Sequence, residues 1–149
     1  MANALRILRI TNDYYMAQTK LRRDDLVEPE LSYKIVGVCF RVENDLGPGL
    51  HEKHYQKGMA EGFREEFIPF REQVPIPLTF SDKVIGRYFI DFVVADKIVV
   101  ELKKGNRINR RHAEQVLAYL QAMNLPLGIL VYFGSDGVTF KRIVNIRNS

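Results

Sequence analysis

The sequence contains a single cysteine, Cys39, among its 149 residues. One thiol excludes an internal disulfide and is typical of a reducing compartment. Cys39 lies in a helical apolar pattern, so we expect a buried structural thiol rather than a nucleophile. No apolar run approaches the length that spans a membrane. Because Arg6 and Arg9 interrupt the apolar start, it is a poor signal peptide, and we expect a cytoplasmic protein with no membrane partner.

Ligands for structural zinc are also scarce. His51 and His54 lie three positions apart and Cys39 is distant, whereas structural zinc uses four soft ligands, usually in close pairs. The chain has no internal repeat, low-complexity tract or heptad pattern. Its length and its 46% hydrophobic and 27% charged residues are those of one ordinary globular domain. The net charge of +4 permits a polyanionic partner but does not require one.

The periodicity of the apolar residues predicts an α/β fold in the order ααβββαββ. The last helix, over residues 110–123, follows the third strand and precedes an apolar fourth strand. This order predicts a mixed central β-sheet with a crossover, flanked by helices. The apolar stripe of that helix is predicted to be Ala113, Val116, Leu117, Leu120 and Met123. Residues 1–29 are interpreted as an N-terminal extension or arm and residues 30–149 as the domain.

Three charged side chains interrupt the most strand-like stretch of the chain: Asp91, Glu101 and Lys103. Glu101 and Lys103 share one face of their strand, because successive side chains alternate. An odd-length loop at Ala95-Asp96-Lys97 would place Asp91 directly across from Glu101, whereas a two-residue turn would place it on the other face. No Asn-Gly or Asp-Gly pair demands the two-residue turn. We therefore expect a loop of three or five residues, with the three charges converging.

Two carboxylates on adjacent strands can hold a hard cation such as Mg²⁺ or Mn²⁺, which prefers oxygen ligands. Such an ion can bind a phosphate oxygen and activate a water. A lysine two positions along can orient that water or stabilise charge on the phosphate oxygens. The alternative is a purely structural cluster of Asp91, Glu101 and Lys103 on a half-exposed sheet. The spacing alone leaves both interpretations open.

The same residues resemble a known motif. Asp91, nine residues and then Glu101-Leu-Lys103 resemble the centre of the PD-(D/E)XK nuclease superfamily, with Ile90 at the position of the proline. Gly49-Leu-His-Glu52-Lys-His-Tyr55 resembles the signature of one branch, the small bacterial GxxExxY proteins. The likeness continues in order and spacing from residue 30 to residue 145, with matching segments at 46–50, 72–77, 98–103 and 141–145. It implies a restriction-endonuclease-like core.

The resemblance also assigns roles. It implies that Glu52 is a third carboxylate ligand of the metal ion, bound directly or through water. Without the resemblance, the simpler interpretation is that an acid in the first turn of a helix complements the helix dipole. The resemblance implies that Gln115 points at the site and holds a water or a phosphate, with Tyr119 a weaker candidate on the same flank. The connection from Lys103 to the next helix is dense in positive charge. Its Lys104, Arg107, Arg110 and Arg111 adjoin the carboxylates and are predicted to neutralise phosphates of the nucleic acid.

The sequence therefore favours a Mg²⁺- or Mn²⁺-dependent nuclease that hydrolyses phosphodiester bonds, in DNA rather than RNA. The alternative is a non-catalytic nucleic-acid-binding or regulatory module that keeps the nuclease fold. A third interpretation is an interaction partner in a larger assembly that uses residues 1–29 and the exposed prolines. A homodimer is compatible with the first, because cutting both strands of a duplex often uses two sites, although that argument is an analogy.

Overall fold

The computed structural model describes residues 27–146, so most of the extension predicted over residues 1–29 lies outside the described residues. Three helices and five strands follow one another in the predicted order. They are α1 (Pro29–Leu46), α2 (Glu52–Glu65), β1 (Phe70–Phe80), β2 (Lys83–Val94), β3 (Ile98–Lys104), α3 (Arg110–Met123), β4 (Leu127–Gly134) and β5 (Gly137–Val144). No helix within residues 27–146 is long and apolar enough to cross a membrane.

The five strands form one mixed sheet in the order β1-β2-β3-β4-β5. Neighbouring strands are antiparallel except β3 and β4, which are parallel and are joined through α3. This parallel pair is the predicted crossover. β4 is buried along its whole length because it lies inside the sheet and is covered on both faces.

Local sequence signals fix where the helices begin and end. Pro29 starts α1, where a missing N–H costs nothing, and α1 ends at Gly47, whose φ of 73° is unfavourable for other residues. Asn109 caps α3 as its side-chain oxygen accepts the N–H of Arg111 at 2.8 Å. Asn124, with φ 55°, ends α3 in the left-handed conformation.

The core has two layers, one on each face of the sheet. Helices α1 and α2 cover the first face, where Phe63 packs edge-on against Phe92 at 5.2 Å between ring centroids. Helix α3 covers the second face through Val116 and Leu120. Val100 and Leu102 point into the first layer while Val99 points into the second, so the predicted alternation along β3 is confirmed.

Two details of the predicted core are changed by the structure. The apolar stripe of α3 includes Tyr119, which is 4% exposed, whereas Leu117 is only partly buried and belongs to neither cluster. The expectation that Tyr119 flanks the stripe is therefore wrong, because the phenol ring packs over the sheet. Cys39 is buried as predicted, and burial raises the pKa of its thiol to about 12.

The hairpin of β1 and β2 is irregular at Gln73, which has a φ of 47° inside the strand. Glu72 pairs with Phe92 and Val74 pairs with Ile90, but Gln73 and Asp91 between them do not pair. Phe92 packs in the first layer of the core, whereas Ile90, two residues earlier, packs in the second. Both strands therefore change the face they present at this point, and the backbone N–H of Asp91 is released from the ladder.

Helices α1 and α2 approach closely at Gly62. A Cβ added there would lie 2.4 Å from Val38 Cγ1, and a β-branched side chain has little rotamer freedom in a helix. We expect Gly62→Ala to destabilise the protein by about 1–3 kcal/mol. Gly37→Ala is the matched control, because a Cβ at this exposed helical position meets nothing within 4 Å. It should stabilise by roughly 0.5–1 kcal/mol, and equal melting temperatures for the two variants would contradict the close packing.

Candidate active site

Asp91 and Glu101 face each other where β2 and β3 separate. The last ladder pair is Phe92 with Val100, and the loop Ala95-Asp96-Lys97 has three residues, as expected. Beyond Phe92 and Val100, hydrogen bonds from backbone N–H groups to the two carboxylates take the place of backbone pairing between the strands. The N–H of Asp91 donates to Glu101 Oε1 at 2.7 Å, and the N–H of Leu102 donates to Asp91 Oδ2 at 2.8 Å. Each acid is thus fixed by the backbone of the opposite strand.

Burial makes this pair unfavourable when both acids are ionised. Glu101 is 4% exposed, and burial, together with the charge of Asp91, raises its pKa to about 8. Burial also raises the pKa of Asp91, which the N–H of Leu102 and the amide of Gln73 partly offset. A positively charged group near the pair would lower the free-energy cost of ionising both acids.

Two glutamines that the sequence analysis missed support Asp91. Gln73 Nε2 donates to Asp91 Oδ1 at 3.1 Å, and Gln56 Nε2 donates to the backbone oxygen of Asp91 at 3.2 Å. Gln73 reaches the carboxylate because its left-handed backbone turns the side chain toward the pair. Nothing in the sequence marks that conformation, since Gln rarely adopts it.

Lys103 lies on the same face as Glu101, two residues farther along β3. It is partly buried, and its charge lowers the pKa values of both Asp91 and Glu101 against the effect of burial. His112 at the start of α3 is close by: burial lowers its pKa, and the charges of Lys103 and Arg111 lower it further. Its Nδ1 forms a 2.6 Å hydrogen bond with Tyr132 Oη, which also accepts the N–H of Asn109.

Glu52 is the first residue of α2, and its carboxyl group interacts electrostatically with Asp91. Burial raises its pKa, the charge of Asp91 raises it further, and Lys103 and Lys104 lower it. Tyr55 holds this end of α2 in place. Its hydroxyl donates to Gly47 O at 2.6 Å, and its ring stacks on Phe133 at 4.2 Å between centroids.

The sequence model of one protein family, the PD-(D/E)XK nuclease superfamily, matches residues 29–143. The chain belongs to this superfamily. Its three helices and five-stranded mixed sheet fit a restriction-endonuclease-like core. Members of this superfamily generally hydrolyse phosphodiester bonds. No curated protein matches the chain significantly.

Among solved structures, the crystal structure of SSO0001 is similar to this chain, with a TM-score of 0.50 and 20% sequence identity. The similarity covers 78% of this chain and 57% of SSO0001, so the chain spans little more than half of that protein. A likeness at this identity concerns the fold alone.

PD-(D/E)XK nucleases typically use divalent metals, and the donors present here fit such an ion. Asp91 and Glu101 offer hard carboxylate oxygens side by side, and both pKa values are raised by burial. Glu101 Oε2 accepts no hydrogen bond from the described residues, so it is available as a ligand. Within residues 27–146, however, no three His, Cys, Asp or Glu side chains are grouped closely enough to form a ready-made metal site.

Helix α3 brings two further side chains to this face of the sheet. Burial raises the pKa of the Tyr119 phenol, and the charges of Glu101 and Asp91 raise it further. Gln115 is partly buried one turn earlier, between His112 and Tyr119. It forms no hydrogen bond within the described part of the chain.

The basic segment, residues 103–111, runs from the end of β3 into α3. Lys104, Arg107, Arg110 and Arg111 are all exposed. The charge of Lys104 lowers the pKa of Glu52, and the charge of Arg111 lowers the pKa of His112, its neighbour in the chain. Arg110 is paired with Glu114 at 3.1 Å, an exposed ion pair that a phosphate could replace at little cost.

Proposed function

We propose that this chain is a Mg²⁺- or Mn²⁺-dependent phosphodiesterase that hydrolyses nucleic acid, DNA rather than RNA. The observation that carries the proposal is the buried pair of Asp91 and Glu101, fixed across two strands with Lys103 on the same face. We further propose that the chain belongs to the GxxExxY branch. Gly49, Glu52 and Tyr55 support this, because the signature begins the helix that carries Glu52 toward the pair.

Asp91 and Glu101 would hold the metal ion, with Glu52 as a third carboxylate, direct or through water. When bound, the ion supplies charge neutralisation at the phosphate and acidifies a water. Lys103 donates hydrogen bonds to the attacking water and to the phosphate oxygens, on which negative charge increases in the transition state. Gln115 orients a water or a phosphate oxygen by its amide. The new bond joins the water oxygen to phosphorus as that water gives up one proton to solvent, the ester P–O bond breaks, and the departing oxygen takes a proton from solvent.

The remaining polar residues position this arrangement and the substrate. Gln73 and Gln56 fix Asp91 by hydrogen bonds at opposite ends of the residue. Lys104, Arg107, Arg110 and Arg111 would contact phosphates on either side of the scissile one, which adds affinity without base choice. We propose that residues 30–149 form this catalytic domain, that residues 1–29 are an appended arm, and that the chain acts as a homodimer.

The test is cleavage of labelled DNA and RNA, single-stranded and duplex, by the full chain with Mg²⁺, Mn²⁺ or EDTA. We expect metal-dependent cleavage of DNA. Replacement of Lys103 by methionine, which keeps the apolar stem, should reduce the rate roughly 10²–10⁴-fold. Lys97→Met is the control, because Lys97 is exposed in the loop between β2 and β3 and pairs only with Glu28 among residues 27–146. Oligonucleotide binding without cleavage under any metal would favour the non-catalytic module instead.

A further inference from the structure

The far part of the β1–β2 hairpin, residues 75–89, extends beyond the rest of the sheet. β3 pairs with β2 only from Phe92 to Val94, so no strand formed by residues 27–146 extends β2 on that side along this part. It carries most of the exposed large apolar side chains in the described part of the chain. They are Leu78, Phe80, Val84, Ile85, Tyr88 and Phe89, each between 40% and 70% exposed. An exposed apolar group of this kind marks an interaction surface.

One face of this part of the hairpin begins beside Asp91 and Glu101, which we call the acidic pair. The rings of Tyr88 and Tyr119 lie 6.3 Å apart, and Tyr119 is the phenol that the charges of Glu101 and Asp91 affect. Ile76 pairs with Tyr88, and Leu78 and Phe80 follow on the same face of β1, because alternate residues share a face. We call these four residues, Ile76, Leu78, Phe80 and Tyr88, the hairpin wall. The wall leads away from the site for about four residues, or roughly 13 Å at 3.3 Å per residue.

The surroundings of the hairpin wall fit a nucleic acid better than a protein strand. Pro75 and Pro77 lie on β1, an edge strand, and their missing N–H groups disfavour the addition of another strand there. Lys83, which pairs with Phe80, is exposed on β2 against a single acid, Asp82, in the turn. The basic segment follows directly after β3, and its exposed cations would supply contacts for phosphates.

We propose that the hairpin wall is a stacking surface for unpaired bases, so that the site takes single-stranded nucleic acid or the unpaired end of a duplex. This proposal rests on the proposed function. Aromatic rings bind bases through their faces, without regard to sequence. In a duplex the base faces are stacked on one another and are not offered to a protein surface. The wall therefore adds affinity only where bases are unpaired, while the basic segment binds the backbone of either form.

Tyr88 and Phe89 provide a matched pair of variants for the test. They are neighbouring aromatic residues of similar exposure, 45% and 52%, but they point to opposite faces of the hairpin. Affinities of the full chain for an oligothymidylate and for a duplex of equal length are measured in EDTA, so that no cleavage occurs. Tyr88→Ala should weaken single-strand binding roughly 5- to 100-fold and leave duplex binding unchanged. Phe89→Ala should change neither, and Tyr88→Phe should keep the wild-type affinity.

Three results would overturn the proposal: equal affinity of the wild type for the two forms, no effect of Tyr88→Ala, or equal effects of the two alanine variants. A dimer that Tyr88→Ala dissociates, with single-strand affinity unchanged, would make the wall an interface between copies and would also overturn it. Melting curves of the variants identify an unfolded one. If Tyr88→Ala does not fold, Tyr88→Leu, which keeps an apolar side chain without a ring, replaces it and should show the same loss of single-strand affinity. Binding through Tyr88 without cleavage in Mn²⁺ would refute the proposed hydrolysis alone. Cleavage that is indifferent to Tyr88 would refute the wall alone.

Discussion

Asp91→Asn and Glu101→Gln are each expected to lower metal-dependent cleavage on the order of 10³-fold without unfolding the protein. The amide variants keep the oxygen atoms that accept the N–H groups of Leu102 and Asp91, so the two strands stay connected. They remove the negative charge that would hold the metal ion. Rates of cleavage under saturating Mn²⁺, with melting temperatures measured in parallel, separate lost chemistry from lost structure.

Asp96→Asn is the control for these variants. Asp96 lies in the loop of the same hairpin, but it is exposed and pairs with Arg71 at 2.9 Å. Such an ion pair contributes little, so both the rate and the stability should remain close to those of the wild type. Full metal-dependent activity in Asp91→Asn or in Glu101→Gln would remove these residues from the reaction.

The stability of the metal-free protein should fall with rising pH because of Glu101. Its folded-state pKa is raised from 4.5 to about 8 by burial and by the charge of Asp91. The folded state therefore binds a proton that the unfolded state releases, and this contribution is complete below pH 4.5 and lost as the pH rises toward 8. In EDTA near pH 8, Glu101→Gln should be more stable than the wild type by about 1–3 kcal/mol, which corresponds to about 3–10 °C in melting temperature. Below pH 4.5 the variant and the wild type should be equally stable.

Metal binding should offset the loss of folding stability at high pH. Mg²⁺ or Mn²⁺ binds the ionised pair, so the increase in melting temperature on adding metal should grow from pH 5 to pH 8 in the wild type. The increase should be absent in Glu101→Gln. A pH-independent metal effect, or one that survives in the variant, would show that the ion binds elsewhere. Comparison of the variant with the wild type cancels the titration of groups that do not interact with Glu101.

Much of the fold could be predicted from local patterns in the sequence. The spacing of apolar residues gives the three helices, and Gly47, Asn109 and Asn124 lie where two of them begin or end. The absence of a two-residue turn signal at Ala95-Asp96-Lys97 favours a loop of three or five residues, and the three-residue loop that forms sets Asp91 opposite Glu101. These features depend on near neighbours in the chain, which is why the sequence alone indicates them.

The parts that could not be predicted depend on contacts between distant elements. Gln73 adopts a left-handed conformation that its own side chain does not favour, and its hydrogen bond to Asp91 becomes apparent only when β1 and β2 are paired. The burial of Tyr119 depends on the sheet residues against which its ring packs, and these are distant in the sequence. The roles of Glu52 and Gln115 came from resemblance to a family, and they remain proposals that mutation of these residues can test.

The most direct test of the shared metal ion is a crystal structure of the full chain soaked in Mn²⁺, with anomalous data collected at the manganese edge. The account predicts one strong anomalous peak between the carboxylates of Asp91 and Glu101, on the face of β3 that carries Lys103. Saturating Mn²⁺ with no peak at that position, in crystals whose Asp91 and Glu101 are well ordered, would contradict it.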